Sequence, residues 1–93
     1  MNVQRAEIRI SGLVQGVGYR FFAERQGRRY GLKGFCRNVP DGTVEVVVEG
    51  DYETICSYIE DLRRGPMSAA VKGVNVKWGD CRGEFNGFRI RFS

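Results

Sequence analysis

The apolar residues of this chain switch repeatedly between two periods, and the order of the switches admits few folds. Ala6, Ile8 and Ile10 alternate with Arg5, Glu7, Arg9 and Ser11, the two-residue repeat of a strand with one face buried. A helix is predicted from about Phe21 to Tyr30, with Phe22, Ala23 and Tyr30 suited to its inner face. Gly27 sits inside that helix at a cost of ~1 kcal/mol relative to alanine, which suits close packing on a sheet, and Gly31 provides the stop. "LKGFCRNV" and "TVEVVVEG" then form two strands joined through the turn Pro40-Asp41-Gly42. In the second of them Val44, Val46 and Val48 alternate with Glu45, Val47 and Glu49.

Asp51 is placed to cap a second helix whose Ile55, Tyr58, Ile59 and Leu62 share one face. Arg63 and Arg64 suit its C-terminal dipole, and Gly65-Pro66 ends it. Val74, Val76 and Trp78, then Phe88, Ile90 and Phe92, mark two further strands across the glycine-rich turn "GDCRGEFNG". The order is β-α-β-β-α-β with an extra C-terminal strand. It predicts an α+β, ferredoxin-like sandwich, with two helices on one face of a mainly antiparallel sheet. The arginine and glutamate positions of the strands are then expected on an open, wet face. A chain of 93 residues makes one domain, residues 1–93, without a linker or an internal repeat.

At 42% hydrophobic and 28% charged residues the chain has the make-up of a soluble folded protein. No window approaches the ~18 apolar residues of a membrane span, and "MNVQRAEIR" lacks the apolar centre of a signal peptide. The expected setting is the cytoplasm, with no membrane partner. A net charge of +4 and a pI near 9.3 favour anionic ligands without choosing among them, and suit a plain solvated basic surface equally well.

There is no histidine, and Cys36, Cys56 and Cys81 are odd in number and widely spaced. Cys/His zinc sites, Ser-His-Asp triads and Cys-His nucleophile pairs are thereby excluded as a basis for function. No metal and no cofactor are expected. The cysteines read as structural, with room for one disulfide in an oxidising setting.

The chemistry is concentrated in "GLVQGVGYR", Gly12 to Arg20, between the first strand and the first helix. Gly16 and Gly18 permit positive φ and close backbone approach. Successive N–H groups from Gln15 to Arg20, at a helix N-terminus, form a nest suited to phosphate, and Arg20 adds a planar two-pronged donor. No known phosphate-loop signature fits, since G-x-x-x-x-G-K-[ST] and the third glycine of G-x-G-x-x-G are both missing. The competing reading is a tight turn with Arg20 on the surface. A β-α-β crossover brings the end of the first strand and Asn38, at the end of the second, to one sheet edge. Asn38 read alone is a turn residue before Pro40-Asp41-Gly42, and the poor alternation of its strand does not tell which face it takes.

Read together, "GLVQGVGYR" resembles the first signature of the acylphosphatase family, and "GFCRNVPDGTVEVVVEG" resembles its second. "GPMSAAV" and "GFRIRF" are similar to that family as well, so the resemblance covers essentially the whole chain. It implies metal-free hydrolysis of small-molecule acyl phosphates by a monomer. The family's phosphate-binding arginine falls on Arg20, its water-orienting asparagine on Asn38, and its backbone cradle on Gln15, Gly16, Val17, Gly18, Tyr19 and Arg20. Phe92-Ser93 ends the chain where a tyrosine or a basic residue is more usual, a departure expected to touch no site residue.

Two other classes compete. An RNA-recognition motif shares the element order and the basic charge, but "KGFCRNV" breaks its signature after Phe35 and lies on the second strand rather than the third, so no nucleic-acid partner is expected. A non-catalytic anion sensor, or a module of a larger carbamoyl-transferring protein, would keep the cradle without turnover. With the chain ending after one domain, a free-standing enzyme is the expected form.

Overall fold

The computed structural model describes residues 2–92. Its elements are β1 (Val3–Leu13), α1 (Tyr19–Arg29), β2 (Lys33–Asn38), β3 (Val44–Asp51), α2 (Tyr52–Arg64), β4 (Ala70–Asp80) and β5 (Phe88–Arg91). The strands form one sheet in the order β4-β1-β3-β2-β5. Every neighbouring pair is antiparallel except β2 and β5, so the expected mainly antiparallel ferredoxin-like sandwich is the observed fold. Among the described residues no helix is long and apolar enough to cross a membrane.

The two-residue repeats decide which side of the sheet is dry. Ala6, Ile8 and Ile10 of β1 and Val44, Val46 and Val48 of β3 point beneath the helices and are fully buried or nearly so. The helices answer with Tyr19, Ala23 and Gly27 from α1 and Ile55, Tyr58, Ile59 and Leu62 from α2. Asp51 caps α2, accepting the Thr54 N–H at 3.3 Å, and Gly65 ends that helix at φ 67°. In the hairpin, Asp41 accepts from both the Thr43 N–H and its hydroxyl. At Gly27 an added Cβ would lie 2.5 Å from the Phe88 ring, so the helix glycine is required by a close approach to β5.

Two expectations need correction. Helix α1 begins at Tyr19, two residues before the predicted start, because Gly18 at φ 77° serves as its N-cap. Tyr19 is therefore a buried core residue, whereas Phe22 and Tyr30 are only half-buried. The second correction concerns the face away from the helices, which is not uniformly wet. Arg5 is 8% exposed and Glu49 6%. The β4–β5 loop folds over them, with the Arg82 and Gly83 N–H groups donating to the Glu49 carboxylate at 2.9 Å. Arg5 bridges Glu49, Glu84 and Glu7. Phe85 from the same loop packs edge-on against Phe35, and the Arg91 guanidinium lies 3.7 Å from the Phe35 ring centre. Charge at a strand position was expected to mean solvent there. Four hydrogen-bond donors converging on one carboxylate offset its desolvation instead.

Candidate active site

The loop between β1 and α1 is held open by residues that themselves face inward. Val14 is buried and anchors the loop's entry. Gly16 and Gly18 adopt φ of 75° and 77°, and no protein atom lies within 4 Å of where a Cβ would sit at either. Backbone direction, not crowding, demands glycine at these two places. Gln15 Nε2 donates to the carbonyls of Val39 and Thr43, both at 2.8 Å, and ties the loop to the β2–β3 hairpin. Ser68 Oγ donates to Val17 O at 2.7 Å from the α2–β4 connection. The Tyr19 hydroxyl donates to Leu62 O at 2.6 Å, joining the start of α1 to α2, and burial pushes that phenol's pKa well up.

These struts consume carbonyl oxygens and leave amides. Phe22 is the first residue of α1 whose N–H reaches a backbone carbonyl, that of Gly18 at 3.2 Å. Among the described residues, the N–H groups of Gln15, Gly16, Val17, Gly18, Tyr19 and Arg20 have no backbone acceptor. Nor does α1 carry a side-chain cap, and its first turn has no acidic residue.

Arg20 extends from that first turn toward the end of β5. Its Nη1 donates to Arg91 O at 3.4 Å, and its guanidinium lies 4.8 Å from the centre of the Phe92 ring. The expectation that the C-terminal departure touches no site residue is therefore wrong at Phe92; Ser93 lies outside the described residues. Arg91 is paired with Arg37 across the parallel β2/β5 register, one residue before Asn38. Asn38 pairs with fully buried Val44, which fixes the face that the sequence left open: it is the helix side. Its Oδ1 is buried and has no hydrogen-bond partner.

The cradle residues, Arg20 and Asn38 thus share one end of the sheet. Gln15, Ser68 and Phe92 contribute through side chains that sequence reasoning did not assign. Gln15 stood in the cradle only for its backbone, and "GPMSAAV" had drawn attention to the segment holding Ser68 without giving it a task. Cys36 lies beneath the site with its thiol 3.5 Å from Arg20 O. Burial, with a smaller contribution from Glu24, pushes that thiol up to about 12, so it stays protonated and structural. All three cysteines are free, and no pair uses the room left for a disulfide.

A family model for acylphosphatase matches residues 6–90. The chain belongs to the acylphosphatase family. It is 47% identical to the acylphosphatase of Anaeromyxobacter dehalogenans over 95% of each chain. It is 46% identical to that of Thermococcus kodakarensis, over 92% of this chain and 93% of the other. The solved structure of a Coxiella burnetii acylphosphatase superposes with a TM-score of 0.91 at 32% identity, covering 97% of this chain and 94% of that one. Likeness at this level over nearly the full length makes the chain an enzyme of the acylphosphatase type. Among the described residues, no group of three or more Cys, Asp or Glu side chains is arranged to hold a metal ion.

Proposed function

We propose that this acylphosphatase hydrolyses the carboxyl–phosphate bond of acyl phosphates without a metal. In this reading the amide cradle and Arg20 hold the phosphate, and Asn38 orients the attacking water. The observation that carries it is the pairing, at one sheet end, of unpartnered donors with an unpartnered acceptor. An uncapped helix start with an arginine in its first turn is electrostatically unfavourable by itself. A phosphate dianion reverses both terms, since it accepts from the amides and from the guanidinium fork. A buried oxygen without a donor costs ~1–3 kcal/mol, and a water donating to Asn38 Oδ1 removes that cost.

The chemistry needs little more. The water oxygen forms a bond to phosphorus while the bond from phosphorus to the acyl oxygen breaks. The departing electron pair stays on a carboxylate, which needs no protonation, so the missing histidine is no obstacle. An amide is no general base, and a phosphate oxygen takes the water's proton. Positioning and charge stabilisation then supply the rate, as in phosphoryl transfer generally.

The test is phosphate release from acetyl phosphate, with p-nitrophenyl phosphate as a phosphomonoester control, before and after exhaustive chelation. Release from the anhydride alone, unaffected by chelator, is expected. Binding of inorganic phosphate without turnover would make the loop an anion sensor. Loss on chelation with recovery on Mg²⁺ would remove the mechanism.

A further inference from the structure

The stretch after α2, "GPMSAAV", reaches the loop of the proposed site from outside it. Gly65 ends α2 at φ 67°, and the Ala69 N–H donates to Pro66 O at 3.0 Å, closing a turn through Met67 and Ser68. That turn carries Ser68 onto the β1–α1 loop, where its Oγ donates to Val17 O at 2.7 Å, the usual length of a good O–H···O bond. Both ends of this bond are anchored from behind. Ala69, next to Ser68, and Val17 itself are partly buried and packed against the core. Ser68 is exposed, yet its bond joins two fixed points 51 positions apart in the chain. Val17 O accepts no other hydrogen bond among the described residues.

The Val17 carbonyl and the Gly18 N–H belong to one planar trans peptide, so they point in opposite directions. With its oxygen turned to Ser68, this peptide aims the Gly18 N–H away from Ser68, and that N–H has no backbone acceptor. Rotated by half a turn, the same peptide would offer an oxygen where the proposed cradle needs a donor. Gly18 does not choose between the two. It sits at φ 77°, and glycine takes positive and negative φ about equally well. Resting on the reading of the loop as a phosphate cradle, we infer that Ser68 is a positioning residue for hydrolysis: its hydroxyl locks the Val17–Gly18 peptide with the N–H toward the phosphate. Ser68 touches neither the phosphate nor the water and acts through that one amide. Without it the free loop divides between two peptide orientations, of which one binds. Bound phosphate selects the competent orientation again, so the loss falls on affinity and not on the chemical step.

The experiment measures kcat and KM for acetyl phosphate, and inhibition by inorganic phosphate, in the wild type, Ser68→Ala and Ser68→Thr. Ser68→Ala should raise KM and the phosphate inhibition constant by a common factor of about three to ten, the scale that one hydrogen bond sets, with kcat nearly unchanged. Ser68→Thr keeps a hydroxyl and should restore both constants to near the wild-type values. Because Ser68 is exposed, both variants should remain folded at the assay temperature, which thermal unfolding checks. A folded Ser68→Ala with wild-type KM and phosphate inhibition overturns the inference, since the peptide would then be oriented without Ser68. A fall in kcat at constant KM overturns it too, as does a rise in KM without weaker phosphate inhibition, or a Ser68→Thr as poor as Ala. Each of these leaves the proposed hydrolysis standing. A wild type that neither hydrolyses acetyl phosphate nor binds inorganic phosphate refutes the proposed function, and this inference falls with it.

Discussion

In the proposed mechanism Arg20 supplies geometry and charge from one side chain. Its guanidinium meets Arg91 O at long range and the face of Phe92, contacts that orient a planar group without neutralising it. Arg20→Lys keeps the charge but loses the fork and the stacking plane. It should lose ~2–4 kcal/mol of transition-state stabilisation, roughly 30- to 1000-fold in kcat/KM, and inorganic phosphate should inhibit it weakly. Near-normal phosphate inhibition in that variant would place the phosphate elsewhere. Asn38 behaves differently because its buried Oδ1 has no partner in the fold. Asn38→Ala should therefore lower kcat far more than it raises KM, with inhibition by inorganic phosphate retained. It should also unfold at nearly the same temperature, since Asn38 Oδ1 makes no hydrogen bond within the fold that the change would break. Asn38→Asp should be as poor as Ala or worse, because its charge would face the phosphate dianion. A folded Asn38→Ala with full turnover would reduce Asn38 to a turn residue.

Helix α1 begins at the proposed site and makes its closest approach to the sheet in its last turn, and the two places use glycine for unlike reasons. Gly27→Ala should gain ~1 kcal/mol of helix propensity yet meet the Phe88 ring at 2.5 Å. Overpacking of that kind costs ~1–3 kcal/mol, so the net expectation is a lower unfolding midpoint in denaturant, with phosphate affinity little changed because the cradle lies at the helix's other end. A stabilised Gly27→Ala would mean that Phe88 swings aside at no cost. The middle of this helix was readable in advance, as were α2 and the valines of β3, because burial there follows a local period. Its start was not. The cap is Gly18 in a left-handed conformation, so the usual Ser, Thr or Asp signal is missing and Tyr19 reads as loop. The face of Asn38 was illegible for a related reason: β2 has small Gly34 and Cys36 on its dry side and buried Phe35 on the other, so alternation conveys nothing. The two signature stretches drew attention to the loop from Gln15 to Arg20 and to Asn38, which the fold brings to one end of the sheet. They said nothing of Phe92 against Arg20, a contact made only when β5 pairs with β2.

Across the whole molecule, the proposed site and the strap of the β4–β5 loop occupy different sides of the sheet. Asn38 is on the helix side, while the far side is strapped by the β4–β5 loop through Glu49, joined to Arg5 across 44 positions of chain. No local pattern signals such a pair, which is why charged strand positions read as solvent-facing. Burial opposes the charge on Glu49. The Arg82 N–H, the Arg5 guanidinium, the Cys81 thiol and the Gly83 N–H outweigh it and hold the carboxyl below its usual value. Glu84 and Glu7 share the same Arg5, so the strap is a network rather than a single pair. A carboxyl with a lower pKa folded than unfolded contributes stability that is present above the unfolded value and fades as pH falls through the folded one. Glu49→Gln should therefore cost about 2 kcal/mol at neutral pH, after allowance for solvent at the rim of the cluster. The wild-type and variant stability curves should converge on the acid side, where the wild-type carboxyl is protonated too. Other carboxyls titrate in that range, among them Asp41, held low by the Thr43 hydroxyl and N–H in an exposed turn. The difference between the two curves cancels them and isolates Glu49. Denaturant unfolding at a series of pH values from neutral to acid measures it. Parallel curves would show that the strap is held by shape and hydrogen bonding alone, with no contribution from the charge of Glu49. Because the strap packs on the opposite face from the cradle, kcat at neutral pH should change little in the folded variant, and a large loss would reveal a coupling across the sheet.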